Sequence, residues 1–168
     1  MRIITYVIGV SLLLSGPVTA QGIVFREADV AACLSAVVDG TRRDCIGVAA
    51  DACMIETPGG NSTVGMGGCL SREYDVWDRM LNAAYRDLLD LYAVSDAEAS
   101  ANGWTEPAQV PTLKAMQRAW IAYRDARCDF ERAKWSGGTG QGPATAHCLM
   151  EMTAEQTFLL QDGAEGLQ

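Results

Sequence analysis

Six cysteines and a single histidine are the side chains in this sequence best suited to redox, metal or nucleophilic chemistry. No two of the cysteines form a CxxC pair, and one histidine is too few for the common zinc ligand sets. We therefore expect no metal and no cofactor. An even number of cysteines in an exported chain instead predicts disulfides. The residues concerned are Cys33, Cys45, Cys53, Cys69, Cys128 and Cys148.

The helices that carry these cysteines indicate part of the pairing. Cys128 and Cys148 flank a glycine-rich turn at residues 137–142, so in an antiparallel helical hairpin they lie at similar depth. Closing that loop contributes about 3 kcal/mol in the chain-entropy model, and we expect this disulfide first. The favoured solution for the others joins neighbours along the chain, Cys33 with Cys45 and Cys53 with Cys69. The pairing of Cys33 with Cys53 or Cys69 stays open.

The sequence contains no recognisable catalytic constellation. His147 is the only histidine, and no acidic or nucleophilic partner stands at motif spacing from it. The GxSxG, HExxH and phosphate-binding glycine motifs are missing. The 21 acidic residues form many carboxylate pairs, of which none is typical of a glycosidase. We therefore predict that the protein is not an enzyme.

Residues 1–20 have the composition of a cleaved signal peptide. Arg2 precedes an apolar run, which Gly16-Pro17 breaks before the small-residue pattern ending at Ala20. The run is too short to span a bilayer comfortably. We therefore expect cleavage before Gln21, no membrane span afterwards, and export to the periplasm or the medium.

The charge balance narrows the class of partner. The formal net charge is -8, and it becomes -9 when Arg2 leaves with the signal peptide. Nucleic acids and anionic membrane surfaces attract positive charge, so we expect neither as a partner. The balance is compatible with a basic protein partner and equally with simple solubility.

Helical periodicity predicts the elements that position these residues. A seam from Leu70 to Leu91 predicts a helix of about 25–28 residues that begins at Thr63. Shorter patterns predict two N-terminal helices at residues 27–39 and 42–55, and a last helix at residues 143–161. A further amphipathic helix begins at Pro111 and ends before Ser136. Its apolar side carries Leu113, Met116, Trp120, Tyr123 and Phe130.

Because no stretch alternates as a strand does, the predicted fold class is all-α. The architecture is a disulfide-stapled helical bundle with two long antiparallel helices, a third C-terminal helix and two short N-terminal helices. We expect the helix of residues 113–135 to organise the chain, as one arm of a disulfide-stapled hairpin with the last helix against which the N-terminal part packs. The polar residues 94–109 are expected to connect the long helices, with Trp104 capping the bundle end rather than serving as an exposed recognition residue.

Three segments together carry a recognisable pattern. They are QRAWIAYRDARC at residues 117–128, CLSREYDVWDRMLNAAY at residues 69–85, and Cys148-Leu149 followed by Thr153. They resemble the motifs of the LprI-like lysozyme inhibitor family, although Gln156 stands where that family often has Arg. The matching positions other than cysteines are Glu73, Trp77, Asp78, Leu81, Asn82, Tyr85, Gln117, Arg118, Trp120, Tyr123, Arg124 and Asp125.

The resemblance implies an exported, disulfide-bonded helical domain at residues 63–168, with residues 21–62 as a cysteine-rich extension packed in the same domain. It also implies a lysozyme inhibitor, which would bind and block a cationic cell-wall hydrolase. The alternative is a cell-envelope structural or interaction protein without that activity. For the inhibitor the expected partner is lysozyme or another basic protein, whereas the partner of the alternative module stays open.

We expect the motif positions to be structural, with Trp120 and Tyr123 on the buried face. Contacts with a partner are expected in the loops at residues 57–62, 96–106 and 137–142. A buried ion pair of Arg124 with Asp78 or Glu73 could fix the register between the long helices. Ordinary flanking charge is the equal alternative.

Overall fold

Helices make up nearly all the regular structure in the computed structural model, which describes residues 22–38, 42–104 and 108–165. No strand occurs in these ranges, so the predicted all-α class is confirmed. The predicted signal peptide, residues 1–20, lies outside the described residues. Within the described ranges, no helix has the length and apolarity needed to cross a membrane. The elements are α1 (Ala28–Ala36), a 3-10 turn (Arg42–Cys45), α2 (Val48–Glu56), α3 (Thr63–Ala101), α4 (Gln109–Ala133) and α5 (Gln141–Glu165).

The two central elements of the bundle are α3 and α5, which share the most extensive helix contact in the described chain. They run parallel, because Gly67 near the start of α3 lies beside Pro143, whereas Leu88 further along lies beside Gly163. The intervening α4 runs antiparallel to both. The predicted bundle of three long helices with short N-terminal helices is therefore confirmed.

The predicted hairpin of α4 and α5 packs against α3 mainly through α5, and the expectation that the helix at residues 113–135 organises this packing is wrong. Of the α4 residues, only Leu113, Gln117 and Cys128 are buried, so the helix covers the bundle along a narrow stripe. α5 buries nine residues over the same length of 25 residues. α4 therefore lies on the periphery of the bundle, in contact with it along one stripe.

The first long helix is longer than its apolar seam predicts, since α3 has 39 residues. Its polar continuation, residues 94–101, is rich in Ala and contains Glu98, both good helix formers. The predicted connection at residues 94–109 is therefore wrong in its first half. The chain between α3 and α4 is confined to residues 102–108.

Three disulfides cross-link one end of the bundle. They join α1 to the 3-10 turn, α2 to α3, and α4 to α5. All three have S–S lengths of 1.99–2.01 Å, and they are the pairs favoured from the sequence. The pairs are Cys33–Cys45, Cys53–Cys69 and Cys128–Cys148.

A glycine divides the second short helix predicted at residues 42–55. Gly47 has φ 95°, a left-handed conformation that favours glycine. The 3-10 turn therefore ends before Gly47, and α2 begins directly after it. This break directs the first N–H groups of α2 towards α3.

Candidate functional site

The motif residues of α3 build the core of the protein. Glu73 has no exposed surface, and its carboxylate accepts hydrogen bonds from three N–H donors. The backbone N–H groups of Gly47 and Ala50 lie at 2.6 and 2.7 Å, and the indole Nε1 of Trp77 lies at 2.9 Å. The backbone donors belong to the N-terminus of α2, where unpaired N–H groups favour a negative charge. Glu73 therefore anchors α2 on α3.

The other α3 motif positions divide between the core and the surface. Trp77 and Leu81 are buried, and the Trp77 ring meets Phe158 edge to face with the ring centroids 5.4 Å apart. Tyr85 is partly buried against a second core cluster that contains Leu81. Asp78 and Asn82 bond to each other, with Asn82 Nδ2 donating to Asp78 Oδ2 at 2.9 Å.

One buried polar contact joins α4 to α5. Gln156 Nε2 donates to Gln117 Oε1 at 2.9 Å, and both side chains are buried. Gln156 is the position where the resembled family often has Arg. In this chain that position carries a neutral amide, which pairs with a second neutral amide.

The predicted ion pair of Arg124 with Asp78 or Glu73 is wrong. Arg124 instead bonds to its neighbour Asp125 at 2.9 Å, and its guanidinium lies 5.0 Å from the centre of the Trp120 ring. Glu73 is occupied by N–H donors, as described above. The register between the long helices is therefore not set by this ion pair.

Two of the α4 motif residues, Trp120 and Tyr123, line an open groove between α4 and α5, which we call the motif groove. Its volume is about 430 Å³. Tyr123 is 59% exposed in its wall, so the expectation that this residue lies on the buried face is wrong. Phe130, about two helical turns further on, is 63% exposed for the same reason, since α4 is peripheral. The groove is lined by Arg43, Ile46, Trp120, Tyr123, Arg127, Glu151, Met152, Glu155, Gln156 and Leu159.

The charges of the motif groove are balanced. Arg43 pairs with Glu155 at 2.6 Å across its end, and His147 Nδ1 lies 3.4 Å from Glu151 Oε2 beside it. Arg127 supplies a further positive charge on the α4 wall. The groove therefore combines exposed aromatic surface with both signs of charge, and it does not create a field of one sign.

The opposite end of the bundle from the disulfides is acidic. Between Arg86 and Lys114 the sequence has no Lys or Arg. We call residues 87–104 the acidic tip. Its carboxylates are Asp87, Asp90, Asp96 and Glu98.

The acidic tip projects past the end of α5. Leu88 and Tyr92 lie beside Gly163, two residues before α5 ends at Glu165. From Tyr92 to Ala101, α3 rises by about a further 14 Å. There Asp96 accepts hydrogen bonds from the N–H groups of Gln109 and Val110, at 2.7 and 2.9 Å. The end of α3 and the start of α4 thus form a two-helix projection. Asp96 of α3 holds it together by binding the first N–H groups of α4.

An exposed indole lies on this projection. Trp104 follows the end of α3 and is 74% exposed, so the expectation that it caps the bundle is wrong. Val94 is also exposed on the last turns of α3. Large side chains of this kind are enriched among residues that dominate protein interfaces. The sequence signal was available, because Trp104 stands alone in a polar stretch.

The loops expected to contact a partner fall at two ends of the molecule. Residues 57–62 form a loop, and residues 137–142 include the turn before α5, both at the disulfide end. Residues 96–106 are instead helical as far as Ala101. Among the described residues, no three His, Cys, Asp or Glu side chains cluster as a metal site would require.

Comparison with known proteins adds the following. The model of the family described as "Lysozyme inhibitor LprI" matches residues 53–160. An uncharacterized protein of Rhizobium meliloti, R02472, is 29% identical over 100 residues, which cover 60% of this chain and 72% of that protein. An uncharacterized 17.7 kDa protein of Rhodobacter capsulatus is 25% identical over 125 residues, covering 73% and 75% respectively. No solved structure matches significantly.

Proposed function

Because the chain belongs to the lysozyme inhibitor LprI family, we propose that it binds and blocks a cationic cell-wall hydrolase such as lysozyme. It acts in this proposal as a binding protein with no catalytic step of its own. Its three disulfides support export, as a periplasmic or secreted protein. The single observation that carries the proposed mode of binding is the acidic tip with its exposed Trp104.

Charge supplies the first step of the proposed mechanism. The chain has a net charge of -8, and the acidic tip concentrates carboxylates in a segment without Lys or Arg. Such a field attracts a cationic partner and raises the association rate, an effect that salt screens. The motif groove, whose charges are balanced, provides no comparable attraction.

Shape supplies the second step. Beyond Tyr92 the tip is narrow, since among the described residues only the end of α3 and the first turns of α4 contribute to it there, and it projects beyond α5. A projection of two helices fits a concave surface better than the broad side of the bundle does. Trp104 at its end offers a large, rigid apolar group that a cleft can bury.

The test is inhibition of lysozyme by the oxidised protein beginning at Gln21. The protein is titrated against the enzyme at fixed cell-wall substrate, at low and at moderate salt. We expect stoichiometric inhibition that weakens as salt increases. Absence of inhibition of several lysozyme types at high molar excess would contradict the proposal.

A matched pair of tryptophan variants tests the location of the contact. Trp104→Ala is expected to raise the inhibition constant by about 30-fold, the equivalent of about 2 kcal/mol at an interface hot spot. Trp135→Ala serves as the control, because Trp135 is also exposed but follows α4 at the disulfide end. Equal inhibition by both variants would place the contact elsewhere.

The motif groove favours a second candidate function, a non-inhibitory interaction module of the cell envelope. Tyr123 belongs to the motif shared with the family, yet it is exposed in the groove about 20 Å along α4 from the tip. This alternative predicts that Tyr123→Ala abolishes capture of an envelope protein while Trp104→Ala leaves it intact. The lysozyme assay decides between the two functions.

A further inference from the structure

The face of α4 that points away from the core is apolar, and its residues are exposed in the described structure; Lys134 Nζ lies 4.9 Å from the centre of the Phe130 ring at its C-terminal end. Its residues recur at the steps of three and four that place side chains on one side of a helix. No charged residue falls within this set, and every member is exposed. The members of this outer face are Thr112, Ala115, Ala119, Ala122, Tyr123, Ala126, Phe130 and Ala133.

This arrangement gives α4 two apolar sides. One is the buried stripe that contains Leu113 and Cys128, and the other is the outer face with Tyr123 and Phe130. A surface helix of a monomer normally keeps charged residues opposite its core side, and contiguous exposed apolar surface marks an interface. The small side chains at the centre of the outer face would let another helix approach closely.

The charges beside the outer face indicate which helix that is. Along one flank, Lys114 and Arg118 lie in the first half of α4, and Asp125 and Asp129 lie in the second half. All four are exposed. Asp125 and Asp129 pair with Arg124 and Arg132 of their own helix at 2.9 and 3.2 Å, whereas Lys114 and Arg118 have no ion-pair partner among the described residues. A flank that is positive in one half and negative in the other is complementary to itself when reversed.

We infer that α4 pairs with α4 of a second copy of this chain, antiparallel, about a two-fold axis. In an antiparallel pair each flank meets the same flank of the partner, and residue i contacts residue j twice. Arg118 then faces Asp125, and Lys114 faces Asp129 in the same register. In a parallel pair the charged flank would face the opposite flank of the partner helix, on the side of Tyr123 and Phe130. None of these charge contacts would then form.

The register that these charges select also gives the longest overlap. Its midpoint falls between Ile121 and Ala122, which is the middle of α4 (Gln109–Ala133). The two helices therefore pair over their whole length of about 37 Å. Arg132, the remaining charge of this flank, faces Pro111 of the partner and meets no like charge. The acidic tips point to opposite ends of the pair, so this inference does not depend on the proposed inhibition.

The oligomeric state of the oxidised protein beginning at Gln21 tests the inference. Light scattering after size exclusion, over a concentration series, is expected to show a dimer that dissociates on dilution. Ala122→Glu places a charge at the centre of the interface in both copies and is expected to raise the dissociation constant by about 100-fold. Ala97→Glu makes the same change at an exposed position of α3 and is expected to leave the dimer intact.

Charge exchange tests the antiparallel register. Arg118→Asp puts like charges together at two symmetric contacts and should weaken the dimer, whereas Arg118→Asp combined with Asp125→Arg should restore it. Arg86→Asp, on the exposed side of α3, is the control. A monomer at every concentration, a dimer that tolerates Ala122→Glu, or a double variant as weak as Arg118→Asp would each overturn the inference. Circular dichroism verifies that every variant is folded.

Discussion

Glu73 is the residue whose replacement tests the structure most directly. Its buried carboxylate accepts hydrogen bonds from Gly47, Ala50 and Trp77, and no Lys or Arg pairs with it among the described residues. The negative charge is stabilised by N–H groups alone, two of them at the N-terminus of α2. We therefore expect the uncharged isostere, Glu73→Gln, to lower the free energy of unfolding even though its shape is conserved.

The magnitude follows from the three bonds. Oε1 accepts from Gly47 and Trp77, and Oε2 accepts from Ala50. A glutamine oxygen can replace only one of these carboxylate oxygens, and its NH₂ group then opposes an N–H donor. One unsatisfied donor costs about 1–3 kcal/mol, and loss of the charge at the helix terminus adds about 0.3–1 kcal/mol. We expect a loss of about 2–3 kcal/mol, and about 5 kcal/mol for Glu73→Ala, which leaves three donors unpaired.

The assay is equilibrium unfolding in urea with the disulfides intact, followed by circular dichroism. Glu98→Gln is the matched control, because Glu98 also belongs to α3 but is exposed. The control should change the free energy of unfolding by less than about 0.5 kcal/mol. If Glu73→Gln is as stable as Glu98→Gln, the carboxylate does not anchor α2 and the reasoning is refuted.

Three further predictions concern other contacts. Gln117→Leu leaves the buried amide of Gln156 unpaired and should cost about 1–3 kcal/mol; a double variant with both residues as Leu should recover part of that loss in urea unfolding, and strictly additive losses would contradict the pairing. Removal of the Cys128–Cys148 disulfide by a double Ala substitution should lower stability by about 3 kcal/mol, and an unchanged thermal midpoint would argue against a structural role. Partial burial raises the pKa of Tyr74, against the smaller opposing effect of nearby Arg124. The unfolded chain therefore ionises first, so stability should fall as the pH rises past about 10; Tyr74→Phe should reduce that fall, and identical pH profiles would refute the assignment.

Helical periodicity and cysteine spacing in the sequence predict much of the fold, but each fails to predict a particular kind of feature. The seam from Leu70 to Leu91 locates α3 because its apolar side chains face α5. Residues 94–101 extend the same helix without an apolar seam, so periodicity alone ends it too early. Their helical state depends on intrinsic propensity and on the bonds of Asp96 to the start of α4.

The sequence pattern wrongly predicts how many side chains of α4 are buried. An amphipathic pattern shows which side chains share a face, but it does not show how much of that face a neighbour covers. Trp120 is half-buried, whereas Tyr123 and Phe130 on the same side remain exposed. Glu73 shows the converse error, since an acidic residue inside a helix is normally assigned to solvent. Only the position of the α2 N-terminus, set by Gly47, explains its burial.

Because all three disulfides lie at one end of the bundle, we expect the two ends of the molecule to differ in local stability. Cys69, Cys128 and Cys148 lie near the ends of α3, α4 and α5 that meet at the 137–142 turn. The acidic tip begins about 27 Å further along α3 and extends to about 48 Å at Ala101. Amide protons near the cross-links should exchange with solvent only on global unfolding, and those of the tip through small local openings. A segment that opens locally can adjust to another surface while the cross-linked base remains folded. Such an adjustment then requires only the free energy of opening a few turns of helix.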